Sequence, residues 1–420
     1  MPSLSSITAR IVVAHELWLA LFCVPFLLFP GPLTPAVLML ILLPWFCRRA
    51  VHGNFTKRTA LDWPILGLLA MSLVGLWPAL GREEGLVVLC QVVAGVSLFY
   101  GVANWAGSKQ RIIFVAAMSI LGGALLAAVA PFATRWPAHK LPLWEEIYPA
   151  LPALLWLEDS VHPNVLAGAL VPLVLVGFSL FYEIPPSFIR REKWLARLAL
   201  ALALGMMVVA VALTQSRGGW LAMAVGLVAF GCLRYRWFLA ALPIFALEGV
   251  VLAGRFGVIP LADFLLGDSS LGGLAERLEV WERAWEMVRD FPFTGIGLGA
   301  FPALQGGMYP TFSLSGPLSH AHNLFLQVAL TLGLPGLGFF LALMFLGGWQ
   351  AFRACRAAAL SALAGGLFSG IIAITAHGLL DAVLWGTKPS VVLWLILGLT
   401  CALLSYQLSA FSHQLSVAKS

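Results

Sequence analysis

Apolar stretches about as long as a bilayer is thick recur along nearly the whole chain. A helix needs about 20 mostly apolar residues to cross a membrane. Twelve segments meet or approach that length, at about 11–29, 33–47, 62–80, 86–106, 112–133, 162–182, 195–214, 218–233, 236–253, 322–350, 358–381 and 389–411. Only 10% of the 420 residues are charged, against roughly 25% in soluble domains. The expected fold is therefore an all-α polytopic membrane protein, with residues 1–420 as a single integral membrane domain. The first apolar run has no small-residue cleavage site and reads as a permanent span. Six scattered cysteines with no CxxC pair suggest neither a disulfide framework nor a zinc site.

Charge placement orients these spans. With the N-terminus on the cytoplasmic side, 16 of the 25 Lys and Arg residues fall on that side. The bias is strongest in short loops, where the positive-inside rule applies best. Both termini are then expected in the cytoplasm. The net charge of +6 follows from this topology and calls for no nucleic-acid partner. Two long loops fall on the outer side, at 134–161 and 254–321, and the second is the longest stretch outside the spans.

Within the second loop, "GLAERLEVWERAWEMVRDFP" predicts an amphipathic helix over 273–291, stopped by Pro292. Leu274, Leu278, Trp281, Trp285 and Val288 form one apolar stripe, expected on the membrane surface or against the spans. At about 100° per residue, Arg277 falls at the edge of that stripe and Arg283 points away from it. The following "FTGIGLGAF" has no strand before it, so a tight turn back to the membrane is expected rather than a dinucleotide site.

Polar groups cluster where spans meet the outer side. "LSHAHN" brings His320, His322 and Asn323 to the start of a span, with Ser319 as its expected cap. At a helix start the two histidines would diverge by about 200°, which argues against a shared metal ion. A neutral His322 imidazole could take a proton from a hydroxyl, or could only hydrogen-bond within the bundle. Arg217 in "TQSRGGWLA" could grip a phosphate in a bidentate fork, or could only snorkel. "VHPNVLAG" starts a span with His162 and Asn164, and Pro163 suits its first helical position. "AHGLLDAV" places His377 and Asp381 near another outer end, and intramembrane ionisable groups suggest function. One outward polar cavity could collect all of these, and arginines beside a base suit an anionic leaving group.

These motifs together resemble the O-antigen ligase family, within the wider ligase and polymerase superfamily of bacterial surface polysaccharides. The family's H-[NSQ]-x9-G-x-x-[GTY] pattern matches His322, Asn323, Gly333 and Gly336. Its R-x3-L element matches Arg217 and Leu221, and the block around Arg277 resembles the segment before the family's histidine. The resemblance implies transfer of a glycan from an undecaprenyl-pyrophosphate donor to a sugar hydroxyl of the lipid A–core acceptor. That reaction would occur at the periplasmic face of the Gram-negative inner membrane and need no nucleotide, metal or other cofactor. It implies His322 as general base, with Arg217 and Arg277 as the donor pyrophosphate clamp. His320, Asn323, Asn164, His162 and Asp381 would support them. Direct displacement implies inversion of the donor linkage.

An O-antigen polymerase or a protein O-oligosaccharyltransferase would use the same donor, and the latter usually carries more chain after the histidine. A solute transporter is the rival from another class. The chain shows no interrupted helix pair at mid-membrane and no two-fold repeat of hydropathy, and its polar residues gather at one face.

Overall fold

The computed structural model describes residues 4–79, 81–134, 136, 161–184, 191–235, 237–257, 274–311, 318–357 and 359–417. The loop expected at 134–161 lies almost wholly outside these residues. So does the 258–273 part of the loop expected at 254–321.

The described chain is helical, with an isolated bridge between Thr134 and Val161 as its extended pairing. Its helices are α1 (Leu4–Ala14), α2 (Glu16–Leu28), α3 (Thr34–His52), α4 (Asp62–Val74), α5 (Arg82–Trp105) and α6 (Lys109–Ala133). Then come α7 (Pro163–Glu183), α8 (Arg191–Thr214), α9 (Arg217–Arg234), α10 (Phe238–Phe256) and α11 (Leu274–Asp290). Last are α12 (Phe301–Gly307), α13 (Leu324–Ala354), α14 (Ser361–Gly378) and α15 (Val391–Val417).

Eight of these are long and apolar enough to cross a membrane, or nine if the bent pair α1–α2 counts as one span. Among the described residues, length and composition thus support eight or nine of the expected twelve spans. Helices form at the remaining expected positions, but α4 stops after 13 residues. Helix α9 has 18 residues, about 27 Å at 1.5 Å per residue. All six cysteines are free thiols.

Helix α7 is apolar on every side and buried on most of them, whereas α8 exposes most of its surface. An all-round apolar helix belongs at the centre of a bundle or in lipid, and these two take one place each. Glycines set the close approaches. A side chain at Gly95 would meet Trp394, and one at Gly398 would meet Phe99 and Val102. Helices α5 and α15 therefore run side by side in the same direction. The ends of α5 and α15 thus lie at one end of the bundle, together with Arg10 of α1.

Helix α11 corrects the expected apolar stripe. Its buried face is Arg277, Val280, Ala284, Met287 and Val288, packed with Ile296, Phe301 and the start of α13. Leu278 and Trp285 are 53% and 52% exposed. The helix thus has two apolar faces about 120° apart. The face with Val280, Ala284, Met287 and Val288 packs inward, and the Leu–Trp face stays exposed.

The turn after α11 ends in a backbone junction. Gly295, Gly297 and Gly299 all have positive φ. The Ile296 amide donates to Leu330 O at 2.7 Å, and the Leu334 amide to Pro292 O at 2.7 Å. Helix α13 breaks where it meets this turn: Gly333 has φ 71° and ψ −179°. A Cβ there would lie 2.6 Å from the Phe293 carbonyl, so both the dihedral and the contact require glycine.

Candidate functional site

The site is assembled at the start of α13. Asn323, not Ser319, caps this helix, accepting from the Phe325 and Leu326 amides at 3.0 Å each. His322 therefore precedes the helix instead of lying in its first turn. Its φ of 47° is left-handed, a conformation uncommon outside glycine and concentrated at functional sites. Three contacts support it. The Ala321 amide donates to Gln327 Oε1 at 2.8 Å, the His322 amide to His320 Nδ1 at 3.2 Å, and Asn323 Nδ2 to Leu379 O at 3.1 Å.

That left-handed residue changes the relation of the two histidines. Their rings do not diverge: the centroids are 4.1 Å apart at 49°. Both rings turn Nδ1 toward Asp381, with Oδ1 at 3.6 Å from His320 and 3.8 Å from His322. These separations exceed hydrogen-bond length and are charge contacts. Burial alone would raise the Asp381 pKa. The neighbouring His320, His322 and His377, with the Ala382 amide, hold the carboxyl well below the usual aspartate range. His320, His322 and Asp381 each offer one ligand atom within 4.8 Å of the others, so these are the residues that could hold a cation.

Asp381 sits on the segment after α14, which is pinned to α13. Asn323 holds its start at Leu379, and Trp385 Nε1 donates to Thr331 Oγ1 at 3.0 Å further on. Between them opens a cavity of about 490 Å³, whose walls include His162, His320, His322, Gln327, Thr331 and Trp385. It is lined by polar tips on an apolar body, as sites for sizeable ligands are.

His162 caps α7, its Nδ1 accepting from the Asn164 amide at 3.2 Å, and Pro163 takes the first helical position as expected. Asn164 is buried just below. His377 packs against the same helix, where Gly168 leaves room for its ring. Arg277 is only 4% exposed, and its charge, like that of Asp381, reaches His377. Arg217 is the exposed first residue of α9. Its neighbour Gly218 lies against Leu380 and His377. The structure thus brings His162, His320 and His322 to the cavity, with Asp381 against the histidines. Arg217 and Arg277 flank the same end of α14 without lining the cavity. Arg283 points away and pairs with Glu286 at 2.8 Å, as its helical angle predicts.

Gln327, Thr331 and Trp385 are cavity residues that the sequence reading passed over. A signal exists: Gln327 and Thr331 are the polar residues in "LFLQVALTLGL", four apart and so on one helix face.

No curated protein matches the chain. A family model described as O-Antigen ligase matches residues 200–341, roughly a third of the chain. That stretch runs from within α8 past the break in α13 and carries Arg217, Arg277, His320, His322 and Gly333. Over residues 200–341, with the histidine pair and both arginines inside the match, the chain is similar to the O-antigen ligase family.

Proposed function

We propose that the chain is an O-antigen ligase, transferring a glycan from undecaprenyl pyrophosphate to a sugar hydroxyl of lipid A–core. The family match over residues 200–341 by itself supports an O-antigen ligase- or polymerase-type, glycosyltransferase-like function. The observation that carries the finer reading is the pair of histidines held against buried Asp381 at the wall of a ligand-sized cavity.

In this reading His322 Nδ1 faces the carboxylate, which leaves Nε2 for the acceptor. The acceptor oxygen attacks the anomeric carbon as its proton passes to Nε2. The new C–O bond forms as the bond to the pyrophosphate oxygen breaks, and the leaving group departs with the electron pair. Asp381 stabilises the imidazolium, and Arg217 and Arg277 offset charge on the pyrophosphate. One displacement inverts the anomeric centre. His320 orients His322 through its amide, while Asn323 caps α13 and His162 and Asn164 shape the cavity rim.

The reaction is placed at the periplasmic face of the inner membrane, with both termini cytoplasmic. Support comes from the cation bias and from the ends of α1 and α15 lying away from the histidines.

The test is transfer by the purified protein in detergent, with an undecaprenyl-pyrophosphate-linked glycan and rough lipopolysaccharide, read as a gel shift of the acceptor with EDTA present. Wild type shifts the acceptor, and His322→Ala does not. Lengthening of glycan on the lipid donor without acceptor transfer replaces ligase with polymerase. Loss of transfer in EDTA, restored by a divalent cation, assigns His320, His322 and Asp381 to a metal instead of a base.

A further inference from the structure

The end of the bundle away from the histidines carries a second cavity, of about 730 Å³. From Val88, at the histidine cavity, to Asn104, at this one, α5 rises about 24 Å. Its ionisable lining is Arg10, Glu16, Arg48, His52, Lys57 and Arg111, three arginines and a lysine against one carboxylate. Arg48 is committed to that carboxylate: both are buried, and Arg48 Nε donates to Glu16 Oε2 at 3.1 Å. Arg10, Lys57 and Arg111 remain as excess positive charge. Burial, followed by the nearby Arg48, pulls the Lys57 pKa below the usual lysine value, and Arg111 adds to this. The site as built lacks negative charge.

An apolar groove of about 300 Å³ adjoins it on the same helices. Leu17 and Leu21 of α2, Leu98 and Val102 of α5, and Met118 and Leu126 of α6 form its walls. The seam between the two spaces is aromatic. Trp105 lines the basic cavity, and Trp18 and Phe114 line the groove. Their rings are 5.9 to 6.2 Å apart. Arg111 stacks over Trp105 at 4.7 Å, and Phe114 lies three residues further along α6. Tryptophans at such a level mark the membrane–water boundary. Helix α1 agrees with that depth: it turns 64° from α2 and exposes Ile7 and Ile11, as a helix in the interface does.

We infer that this end of the bundle binds an anionic phospholipid, its phosphate among Arg10, Lys57 and Arg111 and an acyl chain in the adjoining groove. Charge surplus and apolar groove meet at one aromatic seam, the arrangement of an amphiphile's own head and tail. Basic pockets between membrane helices hold lipid headgroups in this way. A soluble phosphate would use the cavity and ignore the groove. The inference does not rest on the transfer reaction.

The test is native mass spectrometry of the full chain, released from detergent containing phosphatidylglycerol or phosphatidylcholine. Wild type retains phosphatidylglycerol over phosphatidylcholine. Lys57→Gln and Arg111→Gln each lower that retention about fivefold. Arg49→Gln, which removes an exposed cation of α3 outside the cavity, leaves it unchanged. Gly122→Phe fills the groove; a side chain there starts in open space, so the fold tolerates it, and retention falls. Equal retention of the two lipids, or equal loss in all three cation variants, overturns the assignment. Displacement by inorganic phosphate with Gly122→Phe unaffected overturns it too, and makes the cavity a soluble phosphate site.

Discussion

The two ends of α5 hold cavities of comparable size and opposite chemistry. At one end, titratable groups face one another: His320 and His322 against a buried carboxylate that they keep ionised. At the other, mostly arginine cations face a space with too little negative charge to balance them. The first arrangement can move a proton, because imidazole changes charge near neutral pH. The second is dominated by guanidinium, which keeps its proton, and so suits holding an anion. The difference teaches that polar groups in a membrane bundle must be read by their partners rather than by their number.

The sharpest break in this comparison is His322→Ala. A positioned general base contributes about 10²–10⁴-fold, so transfer should fall by that range in the gel-shift assay, while Arg49→Gln at the other end leaves it intact. Retained activity in His322→Ala would reduce the histidine end to a packing device.

Asp381→Asn should cost less, about 10–100-fold, as loss of an orienting carboxylate does elsewhere. The loss should fall mainly on kcat. A pH effect accompanies it, with a definite sign. The native carboxyl titrates below its ordinary value of 3.8, so its ionised form stabilises the fold above that pH. That advantage disappears as pH falls through the native value. Melting temperatures of wild type and Asp381→Asn should therefore converge on acidification below about 4. A constant gap would show that the carboxylate is not held by the histidines.

Gly333→Ala tests whether the junction under the site is as strained as its dihedral indicates. A left-handed non-glycine residue costs about 1–3 kcal/mol, and the Phe293 carbonyl adds a collision. A drop of several degrees in melting temperature is expected. An unchanged value would mean that the junction with the α11–α12 turn is loose.

The smallest effect belongs to Arg283→Gln. Arg277 and Arg283 share one helix, yet only Arg277 is buried. Transfer should be unchanged in Arg283→Gln and reduced in Arg277→Gln. Equal losses would mean that both arginines act only through overall charge.

Much of the architecture was legible in the residues. Hydropathy placed a helix at every expected span, because in lipid each backbone group must be satisfied within its own segment. The expected 273–291 helix lies within one residue at each end of the observed one, Leu274–Asp290. The first helical turn is also local, and Pro163 at the first position of α7 was readable for that reason, whereas the Ser319 cap expected for α13 was not found. The inward face of α11 was not. Its periodicity offered two apolar faces, and only packing against Ile296, Phe301 and the start of α13 decided between them. The His320–His322 pairing failed as an expectation because helical geometry was assumed through His322, where the chain turns left-handed.

By itself, then, the sequence determined what depends on neighbours along the chain: the helices, their apolar character, and the histidine and arginine motifs that match the family's pattern. Tertiary structure alone decided what depends on groups far apart in the chain. It set Asp381 against both histidines through the clamp on Asn323 and Thr331, and it placed Arg10, Lys57 and Arg111 around one space. The physical reason is range. Backbone hydrogen bonding and hydropathy act over a few residues, whereas the charge on a buried carboxylate is fixed by whatever the fold packs against it.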